Sequence, residues 1–215
     1  MKNGHKNKVI LIGGAPGAGK TTLGSALAFR LGVTSLTIDD LVTAVIAVTT
    51  PETHPGIHAL RKGPHTEYFT NSSVEQLIAD ATLRHEATWP MIHQLVRKYT
   101  KMGRSIVIDG WHMRPEWVAQ LPAENVWSGW LVIDPSVLEA RERQNNGGWL
   151  KGSADPKRMF ENFMGRSLWY NNLIKEQASA LQMNILFQDG SKTVDDLCQL
   201  ILTCLEKTDG KQEYI

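Results

Sequence analysis

VILIGGAPGAGKTTL, Val9 to Leu23, is the stretch that decides the fold. Its first residues are a continuous apolar run with β-branched members, the pattern of a strand buried on both faces. After it, KTTLGSALAFRLG places apolar residues at helical spacing and stops at Gly32. Between strand and helix, Gly14 to Thr21 fits G-x-x-x-x-G-K-[ST]. Glycines at those positions let successive backbone N–H groups turn inward as an anion nest, and the helix N-terminus adds its positive end. Gly14, Ala15, Pro16, Gly17, Ala18 and Gly19, with Lys20, Thr21 and Thr22 opening the helix, are therefore expected to cradle the phosphates of a nucleotide. Lys20 is expected to bridge the β- and γ-phosphates, and Thr21 to place its hydroxyl on Mg²⁺. The dinucleotide fingerprint fails, because Thr22 stands where its third glycine would be.

Working outward, RSIVIDG and VWSGWLVID are two further buried strands running into an aspartate, with TSLTIDD and NILFQDG completing a set of five. Helical stretches fall between them, the longest around 73–102 and 156–181, in the alternation of a parallel α/β sheet. Residues 49–71 are rich in Pro, Gly, Thr and His and read as a long irregular excursion over the C-terminal edge of the sheet. In RERQNNGGWLKGSADP a helix runs into Asn-Asn-Gly-Gly before another begins near Pro156, a composition suited to a mobile lid. The expectation is one domain over 1–215, with a substrate-binding excursion at about 41–102 and a lid at about 141–157.

At 215 residues the chain supports one well-buried core. Its net charge of +1 argues against a general nucleic-acid binder, which needs a basic excess. The apolar run after the N-terminus breaks at Gly13 and Gly14, too early for a signal peptide or a spanning helix. Cys198 and Cys204 fit no metal or redox spacing and read as reduced residues of a cytoplasmic protein, monomeric or homodimeric.

In such sheets ligands sit at the C-terminal strand ends, so acids there are the first candidates for chemistry. Asp39 and Asp40 are placed at the end of the second strand, Asp109 at the end of the third and Asp134 at the end of the fourth. Asp109 has the form of an acid that holds the Mg²⁺ shell. Asp39 is the candidate to orient an acceptor hydroxyl and take its proton, with Asp40 as either a cap or the base itself. Asp134, before Pro135, caps the next helix. A transferring phosphoryl group also needs cations, and the lid offers Arg141 and Arg143, a reading preferred here to the blander one of solvated helix charges. In DGWHMRP, His112 and Arg114 follow Asp109 closely enough to contact an anionic acceptor, whereas a loop histidine satisfied by backbone is the plainer reading of His112. Arg166 is a further cation within reach, and Arg61, Lys62, Arg84 and His85 add positive charge that can point to the same pocket, though each read singly is a surface residue.

Together these features resemble the small-molecule kinases of the P-loop superfamily, the group holding gluconate and shikimate kinases, zeta toxins and archaeal-type 2-phosphoglycerate kinases. VIDGWHMRP is similar to the VIEGVHLVP pattern of 2-phosphoglycerate kinases, and RMFENFMGRSLWYNNLIKEQASAL to their post-lid helix. The resemblance implies a three-layer fold with a five-stranded parallel sheet in the order 2-3-1-4-5 and helices on both faces. It implies ATP and Mg²⁺ as cofactors and a small hydroxylated or phosphorylated acceptor such as 2-phosphoglycerate. It also makes Asp39 the acid after the second strand and His112 the histidine of the third-strand loop. Two departures stand out: the family carries Glu where this chain has Asp109, and DDLVTAVI lacks the Arg found soon after the second-strand acid. A nucleoside or nucleotide kinase, a toxin-type kinase of nucleotide sugars and a nucleotide-dependent switch share the same loop. No N-K-x-D or L-S-G-G-Q segment points to a GTPase or a transporter ATPase.

Overall fold

The computed structural model describes residues 8–145 and 148–209. Asn146 and Gly147, the centre of the Asn-Asn-Gly-Gly segment, and both chain ends lie outside the described residues. Five strands, β1 (Val9–Gly14), β2 (Thr34–Thr37), β3 (Ile106–Gly110), β4 (Val126–Ile133) and β5 (Asn184–Gln188), form one parallel sheet in the order β2-β3-β1-β4-β5. Every residue of β1 and β3 is buried, as central strands covered on both faces must be. The edge strands β2 and β5 are partly exposed.

The helices are α1 (Lys20–Leu31), α2 (Ile38–Val48), α3 (Pro55–His58), α4 (His65–Asn71), α5 (Val74–Lys101), α6 (Pro115–Val118), α7 (Pro135–Gln144), α8 (Pro156–Ala180) and α9 (Val194–Asp209). A 3₁₀ turn spans Gly148–Leu150. α1 packs with α9, and the two long helices α5 and α8 pack on each other. No described helix is long and apolar enough to cross a membrane.

Two expectations change. β2 stops at Thr37, and Asp39 and Asp40 open α2 instead of ending the strand. The cause is local: Ile38, Leu41, Val42, Val45 and Ile46 recur at helical spacing, and two acids in the first turn suit the positive end of the helix. The excursion after α2 is not wholly irregular either, since α3 begins at Pro55 and α4 follows Pro64, proline being tolerated at a helix start. Asp134 caps α7, its Oδ1 accepting from Ser136 N–H at 2.9 Å. The segment expected to form a lid runs from the last turn of α7 to the start of α8.

The register explains how β4 is completed beyond β1. Gly14, the last residue of β1, lies opposite Leu131, and the chain then turns away into the glycine loop. Asp134 N–H donates to Gln188 O on the β5 side at 2.9 Å, so Ile133, one residue earlier, directs its backbone groups to the side β1 has left. Asn171 of α8 fills that gap: its Oδ1 accepts from Ile133 N–H at 2.9 Å and its Nδ2 donates to Ile133 O at 3.0 Å. Asn171→Leu strands both buried groups, and urea denaturation is expected to show a loss of about 3 kcal/mol.

Candidate active site

Where β1 turns into α1, the loop residues Gly17 and Gly19 have φ of 79° and 97°, a region that disfavours any side chain. Gly17 is constrained twice, because a Cβ there would also meet Glu142 Oε1 at 2.4 Å. Lys20, the first residue of α1, is buried and donates from Nζ to Ala15 O at 2.9 Å across the loop. Burial lowers its pKa, while Asp39 and Asp109 act to raise it.

The Thr21 hydroxyl donates to Asp109 Oδ1 at 2.8 Å. Asp109 is wholly buried, and its other oxygen, Oδ2, has no protein partner. Burial raises this carboxyl's pKa, against the stabilising bond from Thr21 and the charge of Lys20. A hydroxyl and a carboxylate with unused lone pairs beside a phosphate cradle fit a hydrated Mg²⁺, which takes few protein oxygens and keeps several waters. The residues present thus fit both groups the motif implies, a nucleoside triphosphate on the loop and Mg²⁺ on Thr21 and Asp109.

Beside this loop lies a cavity of about 750 Å³. Asp39 reaches it from the first turn of α2, His112 and Trp111 from the loop after β3, Arg84 from α5 and Arg166 from α8. The Asp39 carboxyl has its pKa raised by burial, an effect opposed by Lys20 and by a hydrogen bond from the Trp111 side chain. His112 is 1% exposed, and its Nδ1 stands 3.7 Å from Asp39 Oδ1. That pair is not ionic, because burial, with Arg84, Lys20 and Arg166 around it, pushes the imidazole down to about 3. The ring is neutral, and both its nitrogens lack a protein partner. Asp40 is exposed and does not line the cavity, so geometry separates the two acids.

Arg84 and Arg166 are 6% and 5% exposed, and burial brings each guanidinium down to about 10, leaving both charged near neutral pH. Arg84 Nε and Nη2 and Arg166 Nε have no hydrogen-bond partner. Buried cations with unused donors are costly unless an anion meets them. Reading the sequence assigned Arg84 to the surface and gave Arg166 little weight. The available signal was phase: Arg84 follows the buried Leu77, Asp80 and Ala81 at helical intervals, and Arg166 follows Met159 and Phe163 in the same way.

Other expected residues lie elsewhere. Arg141 donates from Nη1 to Ala18 O at 3.2 Å and so borders the phosphate loop. Arg143 is exposed, bound through Nε and Nη2 to Glu139 Oε1 at 2.9 and 2.7 Å and placed over the Phe160 ring. Arg114 faces away from the cavity. It donates to Thr82 Oγ1 at 3.1 Å, and its guanidinium is 5.2 and 5.7 Å from the Trp117 and Trp169 rings.

The chain is similar to known proteins in sequence over part of its length and in fold over nearly all of it. A 2-phosphoglycerate kinase of Pyrococcus furiosus is 30% identical over 111 residues, 51% of this chain and 37% of that protein. The match thus spans little more than a third of the relative's length. A gluconokinase from Sinorhizobium meliloti 1021 shares the fold with a TM-score of 0.57 at 12% identity, over 95% of each chain. Thymidylate kinase from Candida albicans does so at 0.53 and 14%, over 95% of this chain and 94% of that one. A family profile described as an AAA domain matches residues 9–145, from the first residue of β1 to the end of α7. The chain belongs to that AAA-domain family of P-loop proteins.

Proposed function

We propose that this protein is an ATP- and Mg²⁺-dependent phosphotransferase that moves the γ-phosphate to a small hydroxylated anion. The observation that carries this reading is the junction of two half-sites: a phosphate cradle with a Thr21–Asp109 pair, beside a cavity holding Asp39 and two unpartnered buried arginines. A nucleotide switch has no need of the second half. Among acceptors, 2-phosphoglycerate comes first for testing, because it is named in the Pyrococcus relatives.

Each residue then has a task. The loop N–H groups and Lys20 hold the β- and γ-phosphates, Lys20 giving up its bond to Ala15 O to do so. Thr21 and Asp109 hold Mg²⁺, which neutralises phosphate charge when bound. Arg141 stands on the rim of the loop, where it reaches the transferring group. Arg84 and Arg166 grip the acceptor's anionic group. Asp39 accepts a hydrogen bond from the acceptor hydroxyl and takes its proton late in the transfer, and its raised pKa makes it a better base than a carboxylate at its ordinary value. Neutral His112 stands beside that carboxylate, 3.7 Å away, without cancelling its charge. Arg143 and Arg114, held by Glu139 and Thr82, have no part in this scheme.

The direct test is ADP release from MgATP across a panel of 2- and 3-phosphoglycerate, glycerate, gluconate, shikimate, nucleosides and nucleoside monophosphates. Stimulation by one acceptor is expected; identical release with and without every acceptor would refute the reading. Lys20→Ala is expected to lower turnover on the order of 10²- to 10³-fold, and Asp39→Asn about 10²- to 10⁴-fold with nucleotide binding retained. Arg84→Met and Arg166→Met should each raise the acceptor KM about 10- to 100-fold, with a smaller effect on kcat. The pH profile has a defined sign. Asp39 works as the carboxylate, so kcat is lost as pH falls through its raised pKa, and the acid limb should lie above the ordinary value of 3.8.

A further inference from the structure

The cavity beside the phosphate loop has a charged end, made by Asp39, His112, Arg84 and Arg166, and an apolar wall that includes Val42, Ile46 and Leu60, with Arg61 and Glu142 also in its lining. Four rings close that wall: His65 and Phe69 of α4, Trp149 of the 3₁₀ turn and Phe163 of α8. Their centroids are 4.7 Å apart for His65–Phe69, 6.5 Å for Phe69–Phe163, 4.8 Å for Phe163–Trp149 and 6.4 Å for Trp149–His65. The four contacts form a closed circuit drawn from three separate chain segments.

A cavity of about 750 Å³ falls within the range of roughly 300–1,000 Å³ that encloses ligands of drug size. A three-carbon phosphorylated acid satisfies Asp39, Arg84 and Arg166 but leaves uncovered the cavity-facing parts of the half-buried Trp149 and Phe163, which pack with the buried Phe69. Apolar wall of that extent is stabilised by an apolar occupant, and aromatic faces favour a flat one.

We propose that the acceptor is larger than a three-carbon acid and carries an aromatic or heteroaromatic ring, seated against Phe69, Trp149 and Phe163, with its anionic group between Arg84 and Arg166. This rests on the acceptor-site reading above and narrows its substrate class. The ring contributes affinity and selectivity, and the arginines set the distance from ring to hydroxyl. Arg166 joins the two ends, because its guanidinium lies 4.8 Å from the Phe69 ring, 5.4 Å from Phe163 and 4.8 Å from Trp111, which hydrogen-bonds Asp39.

Calorimetric titration of the nucleotide-free protein with phenyl phosphate and with methyl phosphate isolates the ring from the anion. Phenyl phosphate is expected to bind on the order of tenfold tighter. That ratio should fall toward one in Trp149→Ala, with methyl phosphate affinity unchanged, and in Phe163→Leu, and should persist in Trp149→Phe. Circular dichroism of each variant confirms that it is folded. Equal affinity for the two phosphates, binding of neither, or a ratio that survives in both Trp149→Ala and Phe163→Leu overturns the proposal. The two levels fail separately. Ring-selective binding by a protein that releases no ADP with any acceptor leaves the ring site standing and removes the kinase. ADP release driven by 2-phosphoglycerate, with equal affinity for both phosphates, does the reverse.

Discussion

The hydrogen bond from Thr21 to Asp109, 2.8 Å long, joins residues 88 positions apart and fixes the relation between the glycine loop and the third strand. It depends on β1 lying beside β3, a pairing in register from Val9↔Ile106 to Gly13↔Gly110. It also depends on Gly24, one turn along α1, where an added Cβ would stand 3.2 Å from Asp109 Oδ2. Helix, strand and acid therefore approach as closely as a missing side chain allows. The buried acid accepts a hydrogen bond from Thr21 on Oδ1, while its Oδ2, which lies against Gly24, is left without one. The fold and the phosphate chemistry rest on the same contact.

The second constraint is an excess of buried positive charge. Lys20, Arg84 and Arg166 are all buried near the carboxylate of Asp39, with Glu142 also in the cavity lining and Asp109 bound to Thr21. Water screens none of them well, so each lowers the cost of bringing an anion in. Burial and the same field keep His112 neutral, so that it adds no further positive charge beside Asp39. A cavity that is electrostatically incomplete without a ligand is less stable than it needs to be, a trade often seen where activity and stability compete.

Much of this architecture was legible in the sequence. Hydrophobic runs ending in Gly or Asp mark the strands, and a motif with its strand before and helix after leaves little freedom in the phosphate loop. The misread end of β2 shows where pattern weakens: in LTIDDLVTAVI the apolar run and the helical stripe share Ile38, and only the packing of α2 decides which period holds there. Arg84 and Arg166 were hidden by a base rate, since a charged residue on a helix is usually solvated. Their phase within α5 and α8 contradicts that default. Arg114 shows the converse. It sits two residues after His112, yet its guanidinium is taken up by Trp117 and Trp169, partners that no spacing in the chain reveals.

The aromatic residues connect the two constraints. A buried guanidinium without a carboxylate partner needs some compensation for lost water, and the faces of Phe69, Trp111 and Phe163 supply it for Arg166 at 4.8, 4.8 and 5.4 Å. Rings that hold a cation in place from behind also leave their remaining surface to the cavity. An all-polar acceptor site could not do both, because polar neighbours would pair with the arginine and use up the donors meant for the ligand. Aromatic neighbours stabilise the charge while leaving Arg166 Nε free of any protein partner. The apolar wall and the anion grip are thus two consequences of one packing solution, and a ligand that meets only the grip leaves half of it unused.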